Sequence, residues 1–185
     1  MPTNCYSILP SYERDKVLFY KDKFGDIDTL TSLGAKNSKS DKYCYKYCGF
    51  SEECDRQMIA VETRAWSSSY SGKLGFKEMI IEIGGRTAGC QGNSIADGGN
   101  AITFRFSNGS LLLYYPFNKC TYNSSDNNLM KQPILNFTSA YGKYPVAYAE
   151  KLASNQYNID SIYYAPSFGL VRIVTYDNVY ELINP

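Results

Sequence analysis

The sequence contains no histidine and only one tryptophan in its 185 residues. Histidine is the side chain most often used as a general base near neutral pH, and it completes the Ser-His and Cys-His nucleophile pairs. It is also a common zinc ligand. Its absence excludes most familiar hydrolase designs and all histidine metal sites, so we expect the protein not to be an enzyme. Chemistry based on carboxylate, lysine or tyrosine side chains remains open.

Long apolar segments and a charge excess are missing as well. No run of about 18 apolar residues is present, so no transmembrane helix is predicted. No apolar run follows Met1 to mark a signal peptide, so an exported form is expected to have its signal already removed. The 19 basic and 18 acidic residues give a formal net charge of +1, and we therefore expect no nucleic-acid partner.

Cysteine is the residue type that indicates a compartment. The six cysteines are Cys5, Cys44, Cys48, Cys54, Cys90 and Cys120. The middle three follow a C-x3-C-x5-C spacing, which lacks the C-x2-C pair of common zinc sites. Disulfides are therefore favoured over a four-thiolate zinc site or buried free thiols, and no metal or other cofactor is expected. A bridge between Cys48 and Cys54 across a turn is compatible with the pattern, subject to their Cα separation, and the other pairings stay open. Disulfides indicate an oxidising compartment.

The hydrophobic pattern indicates strands. Apolar residues alternate with period two far more often than with period 3.6, and the 18 tyrosines suit half-buried sheet surfaces. The pattern predicts a mainly β fold with about ten strands and little helix, either an antiparallel two-sheet sandwich or an open barrel. Residues 1–12 are predicted to be an N-terminal segment or tether, and residues 13–185 a single β domain.

Turn residues place the predicted hairpins. An opening hairpin is expected over Val17–Thr31 with its turn at Lys23–Asp26, a second one over 102–115, and a closing meander over 159–183. Further strands are predicted at residues 43–48, 59–63, 76–83, 134–137 and 146–149. Loops are predicted at residues 34–42, 67–75, 84–100 and 118–128. Residues 144–154 are compatible with a short helix as the less favoured alternative.

Both ends of the chain carry a resemblance. Residues 19–31 read FYKDKFGDIDTLT, and residues 162–172 read IYYAPSFGLVR. They resemble the F-x-N-x-x-G-D-x-D-T-φ opening hairpin (φ is apolar) and the I-Y-Y-x-x-x-x-G-L-V-K/R closing hairpin of uncharacterised Bacteroidetes outer-membrane lipoproteins. Gly25 and Gly169 fit these turns as residues that take positive φ.

The resemblance implies a compartment and an architecture, and it implies no reaction. It implies export, lipidation of an N-terminal cysteine and attachment to the outer membrane, with membrane contact only through that lipid anchor. No lipobox precedes Cys5, so Cys5 is either near the lipidated position or an ordinary disulfide cysteine.

Aromatic side chains give the first candidate site. Tyr43, Tyr45 and Tyr47 alternate along a predicted strand, and with Trp66 they are candidates for a platform that binds carbohydrate or peptide. Cross-strand packing is the alternative interpretation.

Carboxylates give the second set of candidates. Glu62, Glu78 and Glu82 are the best residues for a glycosidase-like pair, but Glu78 and Glu82 lie about 13 Å apart along a strand, so a solvated sheet face is favoured. Asp26 with Asp28, or Asp97 between Asn93 and Asn100, have the chemistry for calcium. The EF-hand spacing is absent, and turn capping is favoured for them.

These observations predict a non-enzymatic exported lipoprotein domain that binds or scaffolds at the cell envelope. Its partner is expected to be an envelope protein or a glycan. It is expected to be extracytoplasmic and anchored to the outer membrane by lipid, on either the periplasmic or the cell-surface side. The alternative is a carbohydrate-processing accessory enzyme that uses two carboxyl groups about 5–10 Å apart in a cleft. A purely structural subunit is a third possibility, and it predicts an exposed apolar patch or an open sheet edge.

Overall fold

A computed structural model describes residues 9–45, 56–87, 97–106, 113–117, 133–152 and 157–183. These residues form eleven strands and no helix. The strands are β1 (Val17–Asp22), β2 (Ile27–Tyr45), β3 (Arg56–Ser71), β4 (Glu78–Thr87), β5 (Asp97–Phe106), β6 (Leu113–Phe117), β7 (Ile134–Thr138), β8 (Lys143–Lys151), β9 (Ile159–Ala165), β10 (Gly169–Thr175) and β11 (Val179–Ile183). The described part of the chain therefore has no helix that could span a bilayer, and the mainly β prediction is confirmed.

All strands belong to one antiparallel sheet in the order β6-β5-β4-β3-β2-β1-β11-β10-β9-β8-β7. Two meanders, one from each half of the chain, are joined where β1 pairs with β11. Phe19 of β1 lies opposite Thr29 of β2 on one side and opposite Ile183 of β11 on the other. Among the described residues, the outermost strands β6 and β7 are not paired with each other. The sheet is therefore open, and a two-sheet sandwich is not confirmed.

One face of the sheet is buried and curls around a shared core. Along β1, the buried side chains of Leu18, Tyr20 and Asp22 alternate with more exposed ones, as expected for a strand with one face toward the core. Phe104 of β5 packs edge to face on Tyr164 of β9, with ring centroids 5.1 Å apart. Six strands separate β5 from β9 in the sheet order, so this contact requires the sheet to curl.

A strap of residues Leu9–Lys16 covers one end of the core. Leu9 is buried in the core. The Ser11 amide donates to the Ser167 carbonyl at 2.9 Å, and the Asp15 amide donates to the Ser32 carbonyl at 2.8 Å. The strap thus ties the β9–β10 turn to β2. Of the predicted N-terminal segment 1–12, residues 9–12 are described, and they pack against the sheet.

The predicted hairpins are confirmed. Val17–Thr31 is the β1–β2 hairpin, and residues 159–183 contain β9, β10 and β11. Residues 102–106 and 113–115 belong to β5 and β6, which pair antiparallel, and residues 107–112 between them lie outside the described residues. Gly25 and Gly169 have φ values of 97° and 82°. These turns form where the sequence predicts them because each requires a residue with positive φ, and glycine adopts that conformation without strain.

Several predicted loops are wrong because strands continue through them. Residues 34–42 lie in β2, which pairs with β3 as far as Tyr45. Residues 67–71 belong to β3, and β4 continues past Gly84 and Gly85 to Thr87. Serine, glycine and lysine are poor strand formers, but pairing with a neighbouring strand satisfies the backbone and outweighs that preference.

Two further segments, one in β8 and one in β5, differ from the predictions made from the sequence. The alternative short helix over 144–154 is wrong for its described part, since β8 runs from Lys143 to Lys151 and pairs with β9. Residues 97–100 belong to β5 and not to a loop. Residues 88–96 and the predicted loop 118–128 lie outside the described residues.

Candidate functional site

A groove opens on the outer face of the sheet, at the end opposite the strap. Its volume is about 400 Å³. The groove is lined by Lys21, Asp22, Lys23, Phe24, Gly25, Ala140, Tyr141, Val179 and Glu181. The first five belong to the end of β1 and the β1–β2 turn, the next two to the β7–β8 turn, and the last two to β11. Three separate parts of the chain therefore form it.

The pairing of β1 with β11 and a folded turn bring these parts together. Lys21 lies opposite Glu181 in the β1–β11 register. The β7–β8 turn reaches β11 because the Ala140 amide donates to Glu181 Oε2 at 3.0 Å. Ser139 holds that turn in shape, since its Oγ accepts hydrogen bonds from the amides of Tyr141 and Gly142 at 3.2 and 3.0 Å. One wall of the groove is thus fixed by a carboxylate of the opposite wall.

Both carboxylate oxygens of Glu181 accept hydrogen bonds from protein donors. Its Oε1 accepts from Arg172 Nε at 2.6 Å and lies 2.5 Å from Arg172 Nη2. Its Oε2 accepts from the Ala140 amide. The Arg172 guanidinium also lies over the rings of Phe137 and Tyr163, 4.9 and 5.2 Å from their centroids. Glu181 is only 8% exposed, and it therefore acts as a structural carboxylate.

Asp22 is engaged in the same way. Its Oδ1 accepts from the amides of Phe24 and Asp26 at 2.9 and 2.8 Å, and its Oδ2 accepts from Asn178 Nδ2 at 3.0 Å. Burial raises the pKa of Asp22, but the Asn178 hydrogen bond, the two amides and the charge of Lys73, 3.6 Å away, together lower that pKa below its ordinary value. Asp22 is therefore an ionised turn cap at neutral pH.

The solvent-facing groups of the groove are aromatic and cationic. Phe24 is 74% exposed and Tyr141 is 39% exposed. Lys21 Nζ lies 5.7 Å from the centroid of the Tyr141 ring, and Lys23 Nζ lies 4.9 Å from that of Phe24. Lys23 also donates to the Asp177 carbonyl. The groove therefore presents ammonium donors and ring faces to a ligand.

Trp66, one of the four predicted platform residues, lies in the core. It is 1% exposed, its Nε1 donates to Ser32 Oγ at 3.0 Å, and its ring packs near Tyr12 at 6.4 Å. The structure places Tyr43 and Tyr45 in β2, opposite Met58 and Arg56.

The rest of the predicted platform is not described. The side chains of Tyr43 and Tyr45, like all of Tyr47, lie outside the described residues. Trp66 itself is buried in the core and does not line the groove.

Asp26 and Asp28, the calcium candidates for which turn capping is favoured, bind neighbouring groups of the protein. Asp28 Oδ2 accepts from the Tyr70 hydroxyl and, at 3.1 Å, from the Lys73 amide. Asp26 forms an ion pair with Lys73. Asp97 and Asn100 are in β5, and their side chains, like Asn93, lie outside the described residues. Among the residues that the structure describes, no three His, Cys, Asp or Glu side chains are grouped to hold a metal ion.

Glu78 and Glu82, for which a solvated sheet face is favoured over a catalytic pair, lie on the sheet surface and do not line the groove. Glu82 forms an ion pair with Arg105 of the neighbouring strand β5, and Glu78 is exposed on β4. The side chain of Glu62 lies outside the described residues.

The structure describes the backbone of one cysteine, Cys44, and the side chain of none. Cys44 is in β2 opposite Gln57, but its side chain is not among those described. The other five cysteines, and with them the predicted Cys48–Cys54 bridge, lie outside the described residues. The disulfides remain a prediction.

Exposed apolar side chains lie next to the groove. Val17 and Phe19 of β1 are 37% and 45% exposed, and Ile27 and Leu33 of β2 are 56% and 37% exposed. Ile27 lies directly opposite Lys21. An apolar margin thus continues from the groove along the outer face of β1 and β2.

The groove residues are not recognisable as a site from the sequence. Lys21, Phe24 and Asp22 are part of the opening-hairpin motif, which is the one signal that pointed to this turn. Tyr141 and Glu181 have no such signal, because their proximity depends on the strand order.

The chain was also compared with known proteins. It matches no protein-family model, no curated protein and no solved structure. Its function is therefore inferred from the chemistry and geometry of its own residues.

Proposed function

We propose that this chain is a non-enzymatic binding domain whose contact surface is the groove between β1, β11 and the β7–β8 turn. One observation carries the proposal. The two carboxylates of the groove, on Asp22 and Glu181, are bound by the protein's own donors, whereas the rings of Phe24 and Tyr141 face solvent. Exposed aromatic rings beside charged groups are typical of binding surfaces. The partner is an envelope protein or a glycan.

The engaged carboxylates give the groove its shape before any ligand arrives. Glu181 joins the β7–β8 turn to β11 and, through Arg172, to β10. Asp22 caps the β1–β2 turn and binds Asn178 ahead of β11. Because these walls are already fixed, little conformational entropy is lost on binding, which favours affinity.

The alternative is a carbohydrate-processing enzyme, and it is favoured by the presence of both Asp22 and Glu181 in one groove. Glycoside hydrolysis by two carboxyl groups requires one of them to be a protonated acid with a raised pKa. The lowered pKa of Asp22 and the two Arg172 nitrogens on Glu181 Oε1 disfavour that role. A reducing-end assay on a polysaccharide panel tests it. Sugar release that is lost in both Asp22→Asn and Glu181→Gln would replace our proposal with this one.

We also propose that the domain is exported and lipid-anchored. The proposal is supported by the resemblance of residues 19–31 and 162–172 to lipoprotein hairpins and by the six cysteines. Intact-mass measurement after alkylation without reductant counts the free thiols, and five or six of them would contradict the disulfides. Palmitate labelling of the protein expressed from its own gene tests the anchor, and absence of label would contradict it.

Removing the exposed rings tests the groove as a binding surface. Phe24→Ala and Tyr141→Ala are expected to weaken binding to immobilised envelope glycans and peptides by about tenfold each, since a stacked ring contributes on the order of 1 kcal/mol or more. Tyr176→Ala is the matched control, because Tyr176 is 64% exposed and does not line the groove. Equal effects of the three variants would contradict the assignment.

A further inference from the structure

We infer that the groove takes an acidic glycan, with a sugar carboxylate on the Lys21 ammonium group and a sugar ring against Tyr141. The inference rests on the proposed binding function and adds the chemical class of the ligand. It is carried by the balance of donors and acceptors in the groove, by its charge and by its position in the sheet.

The groove offers ammonium donors, and its two carboxylates are already engaged. Lys21 Nζ carries three N–H donors and lies over the Tyr141 ring. Lys23 uses one donor on the Asp177 carbonyl. The acceptors of Asp22 and Glu181 already receive protein hydrogen bonds. A neutral sugar hydroxyl must donate as well as accept, whereas a carboxylate only accepts, so a carboxylate matches this lining better.

The charges of the groove favour an anion for a related reason. Arg172 balances Glu181, and Lys73 lies 3.6 Å from Asp22. Arg172 thus offsets Glu181, whereas Lys73 is shared by Asp22 and Asp26. Among the described residues, the ammonium groups of Lys21 and Lys23 contact rings and a backbone carbonyl and form no ion pair with a carboxylate. They are therefore the cations that a ligand carboxylate can meet, and an ammonium–carboxylate hydrogen bond is about twice as strong as a neutral one.

The position of the groove favours a glycan over a peptide. Extended peptides gain much of their affinity by adding a strand to an open sheet edge. β1 is paired with both β2 and β11, and β11 is paired with both β1 and β10. Neither strand offers a free edge at the groove. The rings of Tyr141 and Phe24 instead offer flat apolar surfaces, and the volume of about 400 Å³ is that of a small-ligand pocket.

The test compares three probes by isothermal titration calorimetry: trigalacturonate, the neutral galactotriose and a triglutamate peptide. We expect trigalacturonate to bind more tightly than the other two, with an affinity that falls as sodium chloride is added. Lys21→Met, which keeps the apolar stem and removes the charge, is expected to weaken trigalacturonate binding by at least about tenfold.

Lys36→Met is the matched control. Lys36 is an exposed lysine of β2 that lies beyond Ile27 by roughly 30 Å at the rise of a strand, and its replacement is expected to leave affinity unchanged. Circular dichroism confirms that both variants fold.

Each contrary outcome has a distinct meaning. If galactotriose binds as tightly as trigalacturonate and Lys21→Met leaves its affinity unchanged, the preference for an acidic glycan is overturned. The proposed binding function still stands in that case. Tighter binding of triglutamate overturns the glycan and favours an acidic protein partner. If Lys36→Met weakens trigalacturonate binding as much as Lys21→Met does, the assignment to the groove is overturned. Failure of all three probes overturns the inference, and the proposed function fails as well only if the wider glycan and peptide panel is also negative.

Discussion

At the scale of single residues, Trp66 is held by a hydrogen bond as well as by packing. Its Nε1 donates to Ser32 Oγ, and both residues are buried. Trp66→Phe removes the donor and leaves a cavity. We expect the free energy of unfolding to fall by about 2–3 kcal/mol, measured by urea denaturation with far-UV circular dichroism. A loss below about 0.5 kcal/mol would show that neither the bond nor the packing matters.

Asp22 makes stability depend on acid pH. Because the pKa of Asp22 is lowered in the folded protein, its contribution is fully present above the unfolded value of about 3.9. That contribution is lost as the pH falls through the lowered folded pKa. Urea midpoints measured between neutral and acid pH are expected to fall more steeply for the wild type than for Asp22→Asn, which cannot titrate. Parallel curves would contradict this role.

Asp22 also shows why the sequence did not identify the important carboxylate. The sequence drew attention to Asp26 and Asp28, which lie in the same hairpin. Asp22 differs from them through Asn178, which binds it from 156 residues away. A local sequence pattern cannot include a partner so far along the chain. The turn-capping role of the aspartates was therefore predictable, whereas the contact with Asn178 was not.

At the scale of elements, the β9–β10 turn and the strap depend on one glycine. Gly169 has φ of 82°, and an added Cβ would lie 3.0 Å from Pro10 Cγ. Gly25 has φ of 97° but open space, with Lys21 Cε as its nearest neighbour at 3.9 Å. Both Ala variants are expected to lose about 1–2 kcal/mol from backbone strain.

Gly169→Ala is expected to lose more than Gly25→Ala, because Pro10 must also move. Thermal denaturation of the two variants measures the difference. Equal losses would show that the strap does not press on the turn.

The same glycines mark what is predictable about elements. Turns are local, so the positive φ of Gly25 and Gly169 follows from sequence alone. The length of β2 is not local. Residues 34–42 include lysine, asparagine and serine, which favour loops. They are strand because β3 pairs with them without a break in register from Gly34 to Tyr45. Strand pairing overrides local preference wherever a long partner is present.

At the scale of the whole molecule, strand order creates the groove. Its lining comes from positions 21–25, 140–141 and 179–181, which no motif connects. The sequence predicts the strands that carry these residues, but not that β1 and β11 are neighbours. The fold class was therefore predictable from periodicity, whereas the site required the topology.

The pairing of β1 with β11 also means that β1 cannot complete its contacts until the end of the chain is available. The Tyr20 hydroxyl donates to the Leu170 carbonyl, 150 residues along the chain. Contacts of such sequence separation form slowly, since a long loop must close first. During synthesis β1 leaves the ribosome long before its partner β11 exists. A chain that stops before Val179 therefore retains an unpaired strand edge beside the exposed ring of Phe19, which favours aggregation.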